Sequence, residues 1–413
     1  MTGNDRVRGQ YEAYPYPHRK PADEAWRLVV GSPSHVLEIN HYLFAGRRDL
    51  ASGFRALFAG GGTGDGAIML AQQLAWAGGD AEVVHLDLSD ASQAIAKARA
   101  EARGLRNIRF VRGSLLDLPT LGLGSFDYID CCGVLHHLES PEAGLEALVS
   151  ALADGGGLGL MVYGQLGRSG VYDVQTMLRM IDGEDDGPAR IARAKRLLAD
   201  LPESNRLKRN PFIRDHLQGD DAGLYDLLLH SRDRAYTVPE VVALLESAGL
   251  APTAWIEPGR YDPSSYLRNP DLKKRAVALP SADRAAFAEL LAGNMKQHVV
   301  YAAPAGRVAA AVAVPDSPEA IPVLREQDAT ALARGLKPGG TLTATFDGLQ
   351  LSYPLPRLGP AILSRVDGER DLAAIHKDLA AGNAKLGWET FKKDFDALYA
   401  GMNAINAMVI RYR

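Results

Sequence analysis

The stretch Leu57-Phe-Ala-Gly-Gly-Gly-Thr-Gly-Asp65 decides how this chain is read. Two apolar residues close a strand pattern, Gly60, Gly62 and Gly64 make a turn, and an apolar helix pattern over residues 67–76 follows at once. A strand, a glycine turn and a helix in that order let a ligand lie against bare backbone at a helix N-terminus. Glycine turns serve many purposes, so the surrounding chain has to specify the ligand.

Outward from the turn, strand patterns at 56–59, 82–87, 108–112, 126–132 and 157–163 alternate with helical patterns at 67–76, 90–103 and 141–152. That alternation predicts an α/β, Rossmann-like fold with a parallel sheet covered on both faces. Ser89 or Asp90 can cap the second helix, Gly104 can end it, and Ser140-Pro-Glu142 is a helix start. Asp87 ends the second strand about 25 residues past the turn, where a carboxylate can accept ribose hydroxyls, with Leu88 beside an adenine face. A nicotinamide dinucleotide and S-adenosylmethionine both suit that arrangement. Gly113-Ser114-Leu115 follows the third strand, and Gly133-Val-Leu-His136-His137-Leu138 follows the fourth.

Upstream lies Tyr11-Glu-Ala-Tyr14-Pro15-Tyr16-Pro17, whose alternate prolines predict an extended arm. Its three tyrosines are expected either to strap the core or to close over a bound ligand. A helix is expected from Ser32-Pro33, stopping at Gly46. Downstream, residues 165–236 read as a helical insertion, and Thr237-Val-Pro-Glu240 as a capping box. Strand patterns at 253–257 and 298–302 would bring the sheet to seven strands. The domain order is thus an arm and helix over 1–54, a core over 55–164, the insertion, the end of the core over 237–303, a linker over 304–322 and a small α+β domain over 323–413. In that last domain a strand pair turns at Asp347-Gly348, two helices follow and a strand closes, an order that resembles a winged helix.

At 413 residues the chain exceeds what one core organises. Its net charge of −4 gives no broad basic field, which argues against nucleic acid as a main partner. The two cysteines, Cys131 and Cys132, are adjacent and cannot supply the spaced pairs of a zinc site, so no metal is expected. They read as reduced thiols of a cytoplasmic protein. No apolar run has signal-peptide or membrane-span character, so no membrane partner is expected, and a homodimer is left open.

Taken together, Ala59-Gly-Gly-Gly-Thr-Gly64, Leu86-Asp-Leu-Ser89, Asn107-Ile-Arg-Phe110, Phe126-Asp-Tyr-Ile129 and Gly133-Val-Leu-His-His137 resemble a class I S-adenosylmethionine-dependent methyltransferase. The resemblance implies Gly60, Gly62, Thr63 and Gly64 around the methionine part of the cofactor and Asp87 on its ribose. It places Leu88, Ser114 and Leu115 around the adenine, Gly133 on the far side, and the arm's Tyr11 with the cofactor. Two departures stand out: Phe58 where many members carry an acid, and Ser114 where many carry Asp. More narrowly, the Tyr-Pro-Tyr-Pro arm, the Gly-Val-Leu-His-His run and Tyr225-Asp-Leu-Leu-Leu-His230 leading to Tyr236 resemble a bacterial multi-domain group related to protein-lysine methyltransferases.

The function this implies is methyl transfer to a protein or peptide side chain, a lysine-like amine being favoured. A small-molecule O-, N- or C-methyltransferase and a non-catalytic cofactor-fold binding module are the alternatives. For catalysis the expected residues are His136, as base or orienting group, Tyr163 at the end of the fifth strand and Tyr16 of the arm. Tyr14, Arg168 and His230 are expected to shape the acceptor pocket; the structural alternatives are packing and helix capping for His136 and His137, core packing for Tyr163 and surface ion pairs for Arg168 and His230.

Overall fold

The computed structural model describes residues 3–183, 187–217 and 221–413. In chain order the elements are α1 (Gly3–Ala13), α2 (Val36–Leu43), β1 (Arg55–Ala59), α3 (Asp65–Ala77), β2 (Glu82–Asp87), α4 (Asp90–Ala102), β3 (Ile108–Arg112), β4 (Phe126–Cys132), α5 (Pro141–Ser150) and β5 (Leu152–Tyr163). They continue with α6 (Val171–Ile181), α7 (Gly187–Asp200), α8 (Asp221–Leu224), α9 (Val238–Ser247), β6 (Leu250–Trp255), α10 (Pro270–Val277), α11 (Ser281–Ala292) and β7 (Gln297–Pro304). The sheet has seven strands in the order β3-β2-β1-β4-β5-β7-β6. β1 pairs in parallel with β2 and β4, β2 with β3, and β4 with β5. Ala56, Leu57, Phe58, Val83, Val84, Tyr128 and Ile129 are all buried, as befits strands covered on both faces.

The chain forms two compact units, and the first comprises Met1–His35, Leu50–Leu250 and Gly293–Val300. Here the alternation read from sequence is present with small shifts. β5 starts five residues earlier than the sequence pattern, pairing Leu152 with Phe126 before a register shift. Gly155, Gly156 and Gly157 conceal that first half, because glycines carry no period-two signal. The arm is a correction: α1 is helical through Ala13, and the extended segment begins only at Tyr14, because Pro15 biases the residue before it away from helix. The helix expected from Ser32-Pro33 starts at Val36 instead, after Ser34 takes a φ of 88° that no helix accepts. The insertion has a core of its own, with Val171, Val174, Leu178, Ile191, Leu207 and Leu228 buried together. Between α8 and α9 it makes a single π turn, Tyr225–Leu229. Both halves of the capping box form at Thr237 and Glu240.

The second unit comprises Val36–Asp49, Ala251–Ala292 and Tyr301–Arg413. Its hairpin, Thr341–Phe346 with Leu349–Pro354, turns through Asp347 and Gly348 at φ 47° and 76°, and Ile321–Leu324 pairs antiparallel with Met408–Arg411. Helices Leu372–Gly382 and Trp388–Ala404 bury Ile375, Phe391 and Phe395. Glu38 of α2 is 0% exposed and accepts from Tyr301 Oη at 2.9 Å and Asn406 Nδ2 at 2.7 Å while pairing with Arg325. The Ala-Val-Pro stretch around 304–322 buries Ala311, Ala313, Ala320 and Ile321. Among the described residues, no helix is long and apolar enough to cross a membrane.

Candidate active site

The glycine turn is held open by what surrounds it. Gly60, Gly62 and Gly64 have φ of 79°, 52° and 97°, a region costly for residues with a Cβ. A Cβ on Gly60 would meet Val134 Cγ2 at 2.5 Å, and one on Gly61 would meet the His85 ring at 2.5 Å. His85 is fully buried behind the turn with Nε2 3.1 Å from the Gly62 carbonyl; since a carbonyl only accepts, Nε2 carries the hydrogen. Asp87 accepts from Gly62 N at 2.7 Å and from Ser89 N at 2.8 Å, fixing its carboxylate between the turn and the end of β2. Ser114 Oγ accepts from Leu116 N at 3.1 Å.

Over the carboxyl ends of β1 to β5 opens a cavity of about 510 Å³. Gly60, Gly62, Thr63, Gly64, Asp87, Leu88, Ser114, Leu115, Gly133 and Tyr11 all line it, and so do Tyr16 and Tyr163. The N-terminal segment forms part of its wall and is fastened at several points. Thr63 Oγ1 donates to the Pro17 carbonyl at 2.8 Å, and Ser89 Oγ donates to the Tyr11 carbonyl at 3.2 Å. Arg19 grips Asp65 through Nε at 2.8 Å and Nη2 at 2.5 Å. Glu12 caps α4, accepting from Asp90 N at 2.7 Å and Ala91 N at 3.1 Å. Burial pushes the Asp65 carboxyl up, but the bonds and charges of Arg19 and Arg99 outweigh it and hold the group below its usual range.

The tyrosine side of the cavity converges on Asp226, which the π turn carries and which is 5% exposed. Tyr11 Oη donates to its Oδ1 at 3.1 Å and Tyr163 Oη to its Oδ2 at 3.0 Å. Burial raises the Asp226 carboxyl, more than the neighbouring His137 and the two hydroxyls lower it. His137, also on the cavity wall, has Nδ1 2.7 Å from the Arg232 carbonyl, so Nδ1 carries a hydrogen and Nε2 is the ring nitrogen left outside that bond. Its ring stacks on His230 with centroids 3.7 Å apart. His230 Nδ1 accepts from Arg232 N at 3.0 Å, so its hydrogen sits on Nε2, 3.5 Å from Tyr11 Oη.

Among the residues expected on the acceptor side, Tyr16 and Tyr163 line the cavity, whereas His136, Tyr14, Arg168 and His230 do not. His136 is 1% exposed, stacks on Tyr163 at 4.0 Å, and among the described residues neither ring nitrogen has a hydrogen-bond partner. Burial, with His137 and Arg168 nearby, drives its pKa well below the usual value, so the ring is neutral. Tyr14 stacks on Tyr225 with centroids 4.9 Å apart. Arg168 lies 3.7 Å over the Tyr163 ring and pairs with Asp233 at 3.1 Å. Sequence reading missed His137 and Asp226 as wall residues. For His137 the Gly-Val-Leu-His-His run was a signal that named the pair but not the member; for Asp226 there was only its place in the run ending at His230.

Two sets, His136 with His137 and the half-buried Asp233, and the buried His137 with Asp226 and His230, bring ligand atoms within 4.8 Å of one another. In the second, the hydrogen on His230 Nε2 opposes ligation through that atom. Cys132 lines the cavity, and burial raises its thiol.

These features fit S-adenosylmethionine: a glycine cradle for a ligand against backbone, a carboxylate at the ribose position, and Leu88 and Leu115 for an adenine. Residues 57–158 match the family described as a methyltransferase domain. The chain belongs to the class I S-adenosylmethionine-dependent methyltransferases. The chain is 32% identical over 296 residues to an uncharacterized protein of Synechococcus, covering 69% of this chain and 68% of the relative. A demethylmenaquinone methyltransferase of Geobacillus kaustophilus is 36% identical over 83 residues, 20% of this chain and 34% of that one. In fold it is similar to PKMT2 of Rickettsia typhi, solved in complex with AdoHcy, at TM-score 0.64 and 15% identity over 92% of this chain and 75% of that one.

Proposed function

We propose that the methyl acceptor is an amine, a lysine side chain of a protein or peptide, entering beside Asp226 and His137. The observation that carries this is the Asp226 carboxylate, held by two tyrosine hydroxyls on the wall of the cavity next to a histidine whose Nε2 is left outside the Arg232 bond. Asp226 attracts the ammonium into the cavity, and Tyr11 and Tyr163 fix the carboxylate that orients it. An ammonium with an ordinary pKa near 10.4 costs roughly 4 to 5 kcal/mol to neutralise at pH 7. An apolar, tyrosine-lined wall reduces that cost, and His137 Nε2 accepts the proton. When bound, the cofactor supplies an electrophilic sulfonium methyl; the chain's part is to align the amine lone pair and exclude water. The sequence resemblance to protein-lysine methyltransferases supports the same acceptor.

Incubation with labelled methyl donor and a cell lysate tests the proposal. Label is expected in protein bands, and Asp226→Asn and His137→Ala are each expected to lower it roughly 100-fold while binding of S-adenosylhomocysteine persists. Label confined to extractable small molecules would overturn the protein acceptor. Full activity in both variants would overturn the amine site.

A further inference from the structure

Phe58 takes from the glycine strand the acid that many family members carry there, yet the cofactor's methionine part brings a buried ammonium that needs an anion. The cavity places that need. On the cofactor reading, Asp87 at the end of β2 would hold the ribose, and Gly113 and Ser114 after β3 would lie beside the adenine. With the sheet order β3-β2-β1-β4, the methionine part would then lie on the other side, over β1 toward β4. On that side the parallel register pairs Phe58 with Asp130, so the two side chains share one face of the sheet, and both line the cavity.

Of the other acids on the wall, Asp65 is paired with Arg19 and Arg99, Asp87 accepts from two backbone N–H groups at the end of β2, and Asp226, bonded to Tyr11 and Tyr163, belongs to the acceptor side proposed above. Asp130 is 6% exposed and accepts from Ser34 Oγ at 2.6 Å, and among the described residues it has no cationic partner. Burial pushes its carboxyl up to about 7 in spite of hydrogen bonds from Ser34 and the Cys132 backbone, the behaviour of a buried acid without a cation.

We infer that Asp130 replaces the missing acid across the strand pair and binds the α-ammonium of the cofactor's methionine part. The site would thus take amino-acid-bearing adenosyl thioethers in preference to the bare nucleoside thioether. This inference rests on the cofactor reading of the cavity.

Binding calorimetry on the full chain with S-adenosylhomocysteine, its deaminated analogue and 5′-methylthioadenosine tests it. The unmodified protein is expected to bind the deaminated analogue about 10- to 100-fold more weakly than S-adenosylhomocysteine. In Asp130→Asn that difference should collapse to within about 3-fold, with affinity for 5′-methylthioadenosine unchanged, which also shows that the variant folds. Equal affinity of the unmodified protein for the two homocysteine compounds, or an undiminished difference in Asp130→Asn, would overturn the inference. Failure of S-adenosylhomocysteine to bind the unmodified protein would overturn the cofactor reading itself.

Discussion

His136 and His137 are neighbours in sequence with opposite surroundings. His137 has one nitrogen fixed by a carbonyl and lies on the cavity wall; His136 is buried against Tyr163, and both its nitrogens are unpaired among the described residues. A buried polar ring without partners is a stability cost that an apolar ring of the same shape avoids. His136→Phe is therefore expected to raise the melting temperature, by an amount corresponding to roughly 1 to 2 kcal/mol, and to leave methyl transfer near the parent rate. Loss of turnover with unchanged cofactor affinity would return His136 to the acceptor site. The sequence could not choose between the two rings, since a short turn after β4 decides which one faces the cavity. It did expose the glycines and Asp87, because a glycine turn at a strand end is a local, backbone-level demand that leaves its mark residue by residue.

Among elements, the N-terminal segment is the one the sequence described least well. Its prolines predict an extended arm, but α1 runs through Tyr11 and carries the hydroxyl that reaches Asp226. The strands and helices around the glycine turn were legible because each has its own periodicity and caps. The contacts that complete the site were not, because Asp226 sits on a π turn of the insertion and meets β5 and α1 only through folding. Arg19 is the fastening most open to test, as its pair with Asp65 is about one-third exposed and removable without opening the core. Arg19→Ala should speed dissociation of S-adenosylhomocysteine roughly 3- to 10-fold in stopped-flow measurements, with little change in melting temperature. An unchanged off-rate would mean that the segment's other bonds hold it without this pair.

For the molecule as a whole, buried histidines set part of the acid limit of stability. His41 in the second unit has its pKa lowered from 6.5 to about 4 by burial, and His136 and His230 in the first are lowered as well. Between those values the unfolded chain binds protons that the folded one does not, so stability is present above pH 6.5 and drains away toward the folded pKa. Asp130 works in the opposite sense: with its carboxyl raised to about 7, its contribution is full below the unfolded value and is lost as pH climbs through 7. His41→Gln should accordingly flatten the decline between pH 6 and 4.5 by about 1.4 kcal/mol per pH unit, measured as urea unfolding at several pH values. The slope is the readout, so a shift in mean stability does not obscure it. A slope identical to the parent's would show that His41 does not stay neutral in the fold.

Tyr11 and Asp226 are separated by 215 residues, and Ser34 and Asp130 by 96. During synthesis Ser34 precedes its partner by 96 residues and Tyr11 precedes its own by 215, so both wait for long stretches of the first unit to be made. Contacts so distant along the chain are the slow ones to form. The two buried carboxylates of the cavity thus acquire these hydroxyl partners late in folding, and a bulky fusion joined ahead of α1 would weigh on the reaction site itself.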